Sequence, residues 1–183
     1  MCDKEFTEND LFKLKTLFAF DNSGSITGNS VYFNEIDRLL KKYYKDGDKI
    51  YLWGSTYTEQ SKSQIDNWIE QKKGSEGTES ENIAKLSLAC PTHRDHLIIV
   101  TDGSVSEKDI DITDKLIQEN NIKFKFVSVY IIGPDGDLSV GAPFCRGCPN
   151  RTIHVIDVNT RKKVSSLSLE ELKSRPICIL GLK

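Results

Sequence analysis

The 183-residue chain has the length of one globular domain, and its 38% hydrophobic and 28% charged residues are compatible with a folded protein rather than a disordered one. With a formal net charge of −2, the chain has no excess of basic residues of the kind that is typical of nucleic-acid binders. No apolar run approaches the roughly 18–20 residues of a membrane span.

The N-terminus and the cysteines bear on the cell compartment. The sequence MCDKEFTENDLFKLK is charged from its third residue and lacks the apolar core of a secretory signal. The five cysteines are an odd number at irregular spacing: Cys2, Cys90, Cys145, Cys148 and Cys178. We therefore expect reduced thiols in a cytoplasmic or nuclear protein.

The first part of the chain alternates apolar runs with helical periodicity. Residues 16–20 and 49–54 predict buried strands, separated by an amphipathic helix over residues 31–45. The polar residues 55–63 predict a turn. A short amphipathic helix is predicted over residues 64–73.

The same alternation continues in the middle of the chain. Thr78 and Glu81 fit a capping box, with Thr78 as the N-cap of a helix that ends near Pro91. The apolar run at residues 96–101 predicts a strand buried on both faces. Residues 106–120 predict another helix.

The last part of the chain contains two further predicted strands, at residues 123–132 and 152–158. Between them, residues 133–151 are rich in Gly and Pro and predict a long surface loop or insertion. Beyond them, a C-terminal extension over residues 159–183 is expected to include a short helix at 168–173.

Strands that alternate with helices favour βαβ units. We predict a single α/β domain over residues 1–183, with its core at about 13–158: a doubly wound, mostly parallel central sheet with helices on both faces. Ligands of such sheets bind outside the carboxyl ends of the strands. Asp21 and Asp102 each lie just past a predicted strand end, so two acidic loops could meet at one rim.

Five side chains with oxygen donors are candidates for a metal site. Asp21, Ser23 and Ser25 alternate, so one loop can present their oxygens on one side. Thr78 and Asp102 complete a set of two carboxylates and three hydroxyls. These hard oxygens suit Mg²⁺ or Mn²⁺, and they suit zinc or copper poorly.

The order of these residues resembles that of the von Willebrand factor A domains, which carry a metal-ion-dependent adhesion site on a Rossmann-like fold. The family pattern is D-x-S-x-S after the first strand, a distant Thr, and an Asp after the central strand. The matching segments are Asp21-Asn22-Ser23-Gly24-Ser25, Gly77-Thr78 and Thr101-Asp102-Gly103. The strand–helix alternation extends the resemblance over most of the chain.

The resemblance implies a mechanism. Ser23, Ser25 and Thr78 would bind the ion directly, whereas Asp21 and Asp102 would act through water. Because a carboxylate one water away neutralises the ion less, the metal would keep an electrophilic open position. A Glu or Asp of a partner protein could fill that position, which is binding rather than catalysis.

Each motif also has a simpler interpretation. Residues 21–25 could form a polar turn that caps the next helix, and Thr78 could be only an N-cap. Thr56 and Thr58 are rival donors, but neither follows a Gly or opens a predicted helix. Asp102 with the Gly after it is a common turn pair.

Cys145 and Cys148 form a single CxxC, which is half of a zinc site. His154 or Cys178 could complete such a site only by chance of folding. The Pro- and Gly-rich context disfavours a redox motif. We expect no metal at this pair.

Two other functions are compatible with the sequence. A haloacid-dehalogenase-like phosphatase places an Asp nucleophile where Asp21 lies, but it usually has an acidic residue two positions later, where this chain has Ser23. A domain of the same fold with a vestigial metal site is the third possibility. The sequence contains no Walker loop or dinucleotide fingerprint.

Overall fold

The computed structural model describes residues 13–133, 138–146, 148, 150–156 and 163–167. The strands are β1 (Thr16–Asp21), β2 (Lys49–Trp53), β3 (Tyr57–Gln60), β4 (His96–Thr101), β5 (Phe126–Ile132), β6 (Asn150–Ile156) and β7 (Lys163–Leu167). The helices are α1 (Ser30–Tyr43), α2 (Lys62–Gln71), α3 (Glu81–Ala89), α4 (Glu107–Glu119) and α5 (Ala142–Cys145). Two 3₁₀ turns cover Gly24–Ile26 and Leu138–Gly141.

All seven strands belong to one sheet, in the order β3-β2-β1-β4-β5-β6-β7. Neighbouring strands from β2 to β6 are parallel, and β3 and β7 pair antiparallel at the two edges. The expected mostly parallel α/β sheet is confirmed. β1 and β4 are direct neighbours, with Phe20 opposite Val100.

Helices cover both faces of this sheet. In β1, Leu17 and Ala19 point into a core cluster shared with α3 and α4, whereas Phe18 and Phe20 point into a second cluster shared with α1 and α2. This alternation follows from the two-residue period of a strand. Because both faces are covered, every residue of β1 and β4 is buried. Within the described residues, no helix is long and apolar enough to cross a membrane.

The predicted polar turn at residues 55–63 is wrong, because it contains strand β3 and the beginning of α2. β3 has no buried residue, and it lies at the sheet edge, so it lacks the apolar pattern of a core strand. Glu59 on β3 accepts a hydrogen bond from the hydroxyl of Tyr51 at 2.9 Å and pairs with Lys49. β7 likewise lay outside the predicted strands, and β5 begins at Phe126 rather than Lys123.

The predicted capping box at Thr78 is also wrong. Helix α3 begins at Glu81, and its N-cap is Ser80. The hydroxyl of Ser80 does not cap the helix and instead shares a hydrogen bond of 2.8 Å with that of Thr113 on α4. Thr78 therefore precedes the helix and does not cap it.

The segment at residues 133–151 is not the surface excursion that its composition predicts. Its described residues include helix α5, and the side chains of Val140, Phe144, Cys145 and Cys148 are buried in the cluster beneath α3 and α4. Burial raises the pKa of the Cys145 thiol to about 12. The helix predicted at 168–173 lies outside the described residues.

His96 is a buried titratable group at the amino end of β4. Its Nε2 atom lies 3.0 Å from the hydroxyl of Ser128, and the rings of Tyr43 and Phe126 meet it edge-on. Its Nδ1 atom has no hydrogen-bond partner among the described residues. Burial, and secondarily the charge of Lys45, lowers the pKa of His96 from 6.5 to about 3.

We expect His96 to make the fold sensitive to acid. Between pH 6.5 and about 3, His96 is protonated in the unfolded chain but stays neutral in the folded protein. The free energy of unfolding therefore falls as the pH falls towards the folded-state pKa. The difference in unfolding free energy between wild type and His96→Gln should fall by about 1.4 kcal/mol per pH unit on acidification. Urea unfolding at a series of pH values measures this difference. A difference that does not change with pH would contradict the prediction.

Candidate functional site

Asp21 ends β1 with its carboxylate fully buried. Its Oδ1 atom accepts a hydrogen bond from the backbone amide of Ser23 at 2.7 Å, and its Oδ2 atom accepts one from the hydroxyl of Thr101 at 2.7 Å. The second bond joins the ends of β1 and β4, which lie side by side because the two strands are parallel neighbours. Both carboxylate oxygens are therefore held by groups of the same sheet edge.

Asp102 directly follows β4 and is only 8% exposed. Its Oδ1 atom accepts a hydrogen bond from the amide of Ser104 at 3.0 Å. In the described parts of the chain, no ion pair links Asp21 or Asp102 to a basic side chain. Among the described residues, therefore, no salt bridge compensates the negative charge of this edge.

Desolvation raises the pKa of Asp21 to about 6, and the nearby charge of Asp102 acts in the same direction. The hydrogen bonds from Thr101 and Ser23 act in the opposite direction, because they favour the ionised form. Burial outweighs them. A nearby cation would favour the ionised carboxylate and would reverse this balance.

Ser23 and Ser25 lie next to each other at the 3₁₀ turn that follows β1. Their hydroxyl oxygens are 2.8 Å apart and share a hydrogen bond. Ser23 is buried, whereas Ser25 is exposed. The structure therefore brings these two predicted donors together, and their role as metal ligands stays a prediction.

Thr78 lies in the loop between α2 and α3. This loop docks on the Ser23 loop through an isolated parallel bridge between Ser23 and Glu76, in which the amide of Gly24 donates to the carbonyl of Glu76 at 2.9 Å. Thr78 is two residues further along and partly exposed. Its loop thus reaches the site, but its hydroxyl makes no hydrogen bond to the other four predicted donors.

Two residues that were not among the predicted donors hold the site together. Thr101 binds Asp21, and its position just before Asp102 at a strand end was a usable signal. The buried hydroxyl of Tyr32 on α1 lies 2.8 Å from the carbonyl oxygen of Asp21 and 3.0 Å from that of Val100. Nothing local in the sequence marks this contact, because it depends on how α1 docks against the strand ends.

The sheet and its helices define an α/β protein of Rossmann-like architecture, with paired acidic loops at the carboxyl edge. No sequence family and no curated protein matches this chain.

Three solved structures are partly similar to the chain. BatB from Bacteroides thetaiotaomicron is 22% identical, with a TM-score of 0.45 over 67% of this chain and 69% of BatB. An aerotolerance-related membrane protein from Bacteroides fragilis is 15% identical, with a TM-score of 0.42 over 66% of this chain and 67% of that one. Proximal thread matrix protein 1 from the mussel byssus is 17% identical, with a TM-score of 0.45 over 64% of this chain and 35% of that one. At these TM-scores the likenesses identify neither a family nor a function for this chain.

Replacing Thr101 by Val should destabilise the protein through its effect on Asp21. The substitution keeps the shape of the side chain but removes the hydroxyl that donates to a buried carboxylate and accepts from the amide of Gly103. We expect a loss of about 2–4 kcal/mol in unfolding free energy at neutral pH. Thr58→Val on the exposed strand β3 is the matched control and should change stability by less than about 0.5 kcal/mol. Equal effects of the two substitutions in chemical denaturation would show that the Asp21 contact contributes nothing.

Proposed function

We propose that this protein is a non-catalytic interaction domain that binds Mg²⁺ or Mn²⁺ and, through the ion, an acidic side chain of a partner protein. The proposed site residues share oxygen donors and a place at or near the carboxyl edge of the sheet: Asp21, Ser23, Ser25, Thr78 and Asp102. The observation that carries the proposal is the pair of buried carboxylates that lacks a basic partner in the described residues and lies beside paired hydroxyls.

The chemistry of the donors fits a hard divalent cation. The described residues contain no group of three or more His, Cys, Asp or Glu side chains that could hold a metal. A site at this edge would therefore depend on hydroxyl and water oxygens in addition to its two carboxylates. Mg²⁺ commonly keeps several waters and takes only one or two carboxylates from a protein.

The contacts of Asp21 support an indirect role for this residue. Both of its oxygens already accept hydrogen bonds, from Ser23 and Thr101. A carboxylate held in this way is suited to orient a water or a neighbouring ligand, as outer-shell groups do at metal sites. The hydroxyls of Ser23, Ser25 and Thr78 would then contact the ion directly.

The expected charge balance favours an acidic ligand. If neutral hydroxyls supply the direct contacts, most of the ion's positive charge remains available to an incoming carboxylate. Without the ion, Asp21 and Asp102 would repel the same carboxylate. The ion therefore reverses the preference of the site, and the resemblance to von Willebrand factor A domains suggests the same arrangement.

The burial of Asp21 also favours binding over catalysis. A nucleophilic carboxylate must reach its substrate, but this one is fully buried and engaged at both oxygens. We therefore place the phosphatase alternative second. Hydrolysis of a generic aryl phosphate in Mg²⁺ would favour that alternative.

Calorimetric titration with Mg²⁺ or Mn²⁺ tests the metal site. We expect measurable binding by wild type. Asp21→Ala and Asp102→Ala should weaken binding by about 10–100-fold, which abolishes the measurable heat at a weak site, and loss of a direct ligand in Thr78→Ala or Ser25→Ala should weaken it at least as much. The last two change exposed or partly exposed positions, so they separate ligand loss from misfolding. Thr58→Ala removes an exposed hydroxyl on β3 and should bind as wild type does. Equal affinity in all variants would reject the assignment.

The partner should be captured only when a divalent cation is present. Pull-down from the native cell in Mg²⁺ and in EDTA identifies proteins whose retention depends on the metal. Binding of such a protein should be lost in EDTA and with Thr78→Ala, and it should weaken when the partner's contacting Glu or Asp is replaced. Undiminished binding in EDTA and by Thr78→Ala would place the interaction surface elsewhere and favour a vestigial metal site.

A further inference from the structure

Main-chain hydrogen bonds fasten the loop that carries Thr78 to the Ser23 loop, and two of them converge on one carbonyl. The carbonyl of Asn22 accepts from the amides of Ser75, at 2.8 Å, and Glu76, at 3.1 Å. With the Ser23–Glu76 bridge, these bonds set the register of the two loops. The position of Thr78 relative to Ser23 follows from that register, because Thr78 is only two residues beyond Glu76.

The side chain of Asn22 reinforces this fastening. Its Oδ1 atom accepts a hydrogen bond from the indole of Trp68 at 3.0 Å, and its Nδ2 atom donates to the hydroxyl of Ser75 at 3.3 Å. Trp68 on α2 is almost fully buried and packs against Phe33 on α1, with ring centroids 4.9 Å apart. Asn22 thereby connects the site loop to the packed helices α1 and α2 behind it.

Gly74 allows the two loops to approach this closely. A Cβ atom at this position would overlap the carbonyl oxygen of Ser23 and would lie 2.8 Å from Cγ1 of Ile26. The obstacle is backbone rather than the end of a flexible side chain, so any larger residue must separate the loops. Glycine is the residue that permits such close backbone contact.

We propose that Asn22 and Gly74 are positioning residues that set the separation of the Thr78 and Ser23 hydroxyls and thereby the affinity for the divalent cation. Neither residue would touch the ion. This inference rests on the proposed function, because it assigns these residues to the same site. It predicts that separating the two loops weakens metal binding by more than any loss of stability explains.

The test compares Gly74→Ala and Asn22→Ala with Gly141→Ala. Gly141 is a matched control: its added methyl would meet the Val129 side chain at 3.1 Å, in the core cluster on the α3–α4 face of the sheet, and its φ of −84° suits alanine. Two readouts are taken on folded protein: Mg²⁺ affinity by calorimetry, and hydrogen exchange of the Ser75 and Glu76 amides without metal.

We expect Gly74→Ala to weaken Mg²⁺ binding by about 10–100-fold and Asn22→Ala by about tenfold, the range typical of groups that orient metal ligands. Exchange of the two amides should accelerate in both variants. Gly141→Ala should leave affinity and exchange unchanged, whether crowding at Val129 lowers or raises its thermal midpoint. If Gly74→Ala does not fold, Asn22→Ala alone decides the result.

The possible failures are distinguishable. Mg²⁺ binding by wild type, with unchanged affinity in Gly74→Ala and Asn22→Ala, would overturn this inference and leave the proposed function standing. Affinity lost equally in Gly141→Ala would overturn it as well, because general destabilisation would then explain the loss. Absence of Mg²⁺ binding by wild type would overturn the proposed function and this inference together.

Discussion

The arrangement of the carboxyl edge depends on keeping the carboxylate of Asp21 buried. An ionised group removed from water must be compensated by hydrogen bonds or by opposite charge. Here the compensation comes from the Ser23 amide and the Thr101 hydroxyl. The first is local, but the second requires β1 and β4 to be adjacent, parallel and in one register. Burial of the Asp21 carboxylate therefore depends on the strand order that places β4 beside β1.

The layers on the two sides of the sheet create the dry environment in which that constraint operates. Apolar side chains of α1 and α2 cover one face, and those of α3 and α4 cover the other. The hydroxyl of Tyr32 on α1 lies within hydrogen-bond distance of the carbonyls of Asp21 and Val100 near the ends of β1 and β4, so these polar groups have a protein partner in place of water. Desolvation raises the pKa of Asp21 for this reason, and the neighbouring charge of Asp102 acts in the same direction.

Helix α3 begins three residues after Thr78, and this leaves the hydroxyl of Thr78 outside the helix cap. An N-cap hydroxyl normally accepts a hydrogen bond from an amide of the first helical turn. Because α3 begins at Glu81, the hydroxyl of Thr78 is not used in this way. Ser80, which occupies the N-cap, is instead bonded to Thr113 on α4, and Asn82 donates from α3 to the carbonyl of Gly54 at 2.7 Å. The helix start is thus held by its neighbours, and the preceding loop keeps a hydroxyl that is not engaged in capping.

The sequence alone determined the central strands, the helices beside them and the positions of Asp21 and Asp102 at strand ends. These signals are local. A strand buried on both faces needs a continuous apolar run, such as residues 96–101, and a helix buried on one face needs apolar residues at helical spacing, so each pattern can be read within its own segment.

The tertiary structure decided what depends on distant partners. β3 and β7 are edge strands recognised through pairing, and the segment around α5 is buried because its apolar side chains fill space beneath α4. The true start of α3, the Tyr32 contact and the approach of Gly74 to Ser23 likewise join residues far apart in the chain. Local propensity cannot encode such contacts, because each depends on where the packed helices and strands bring the second residue.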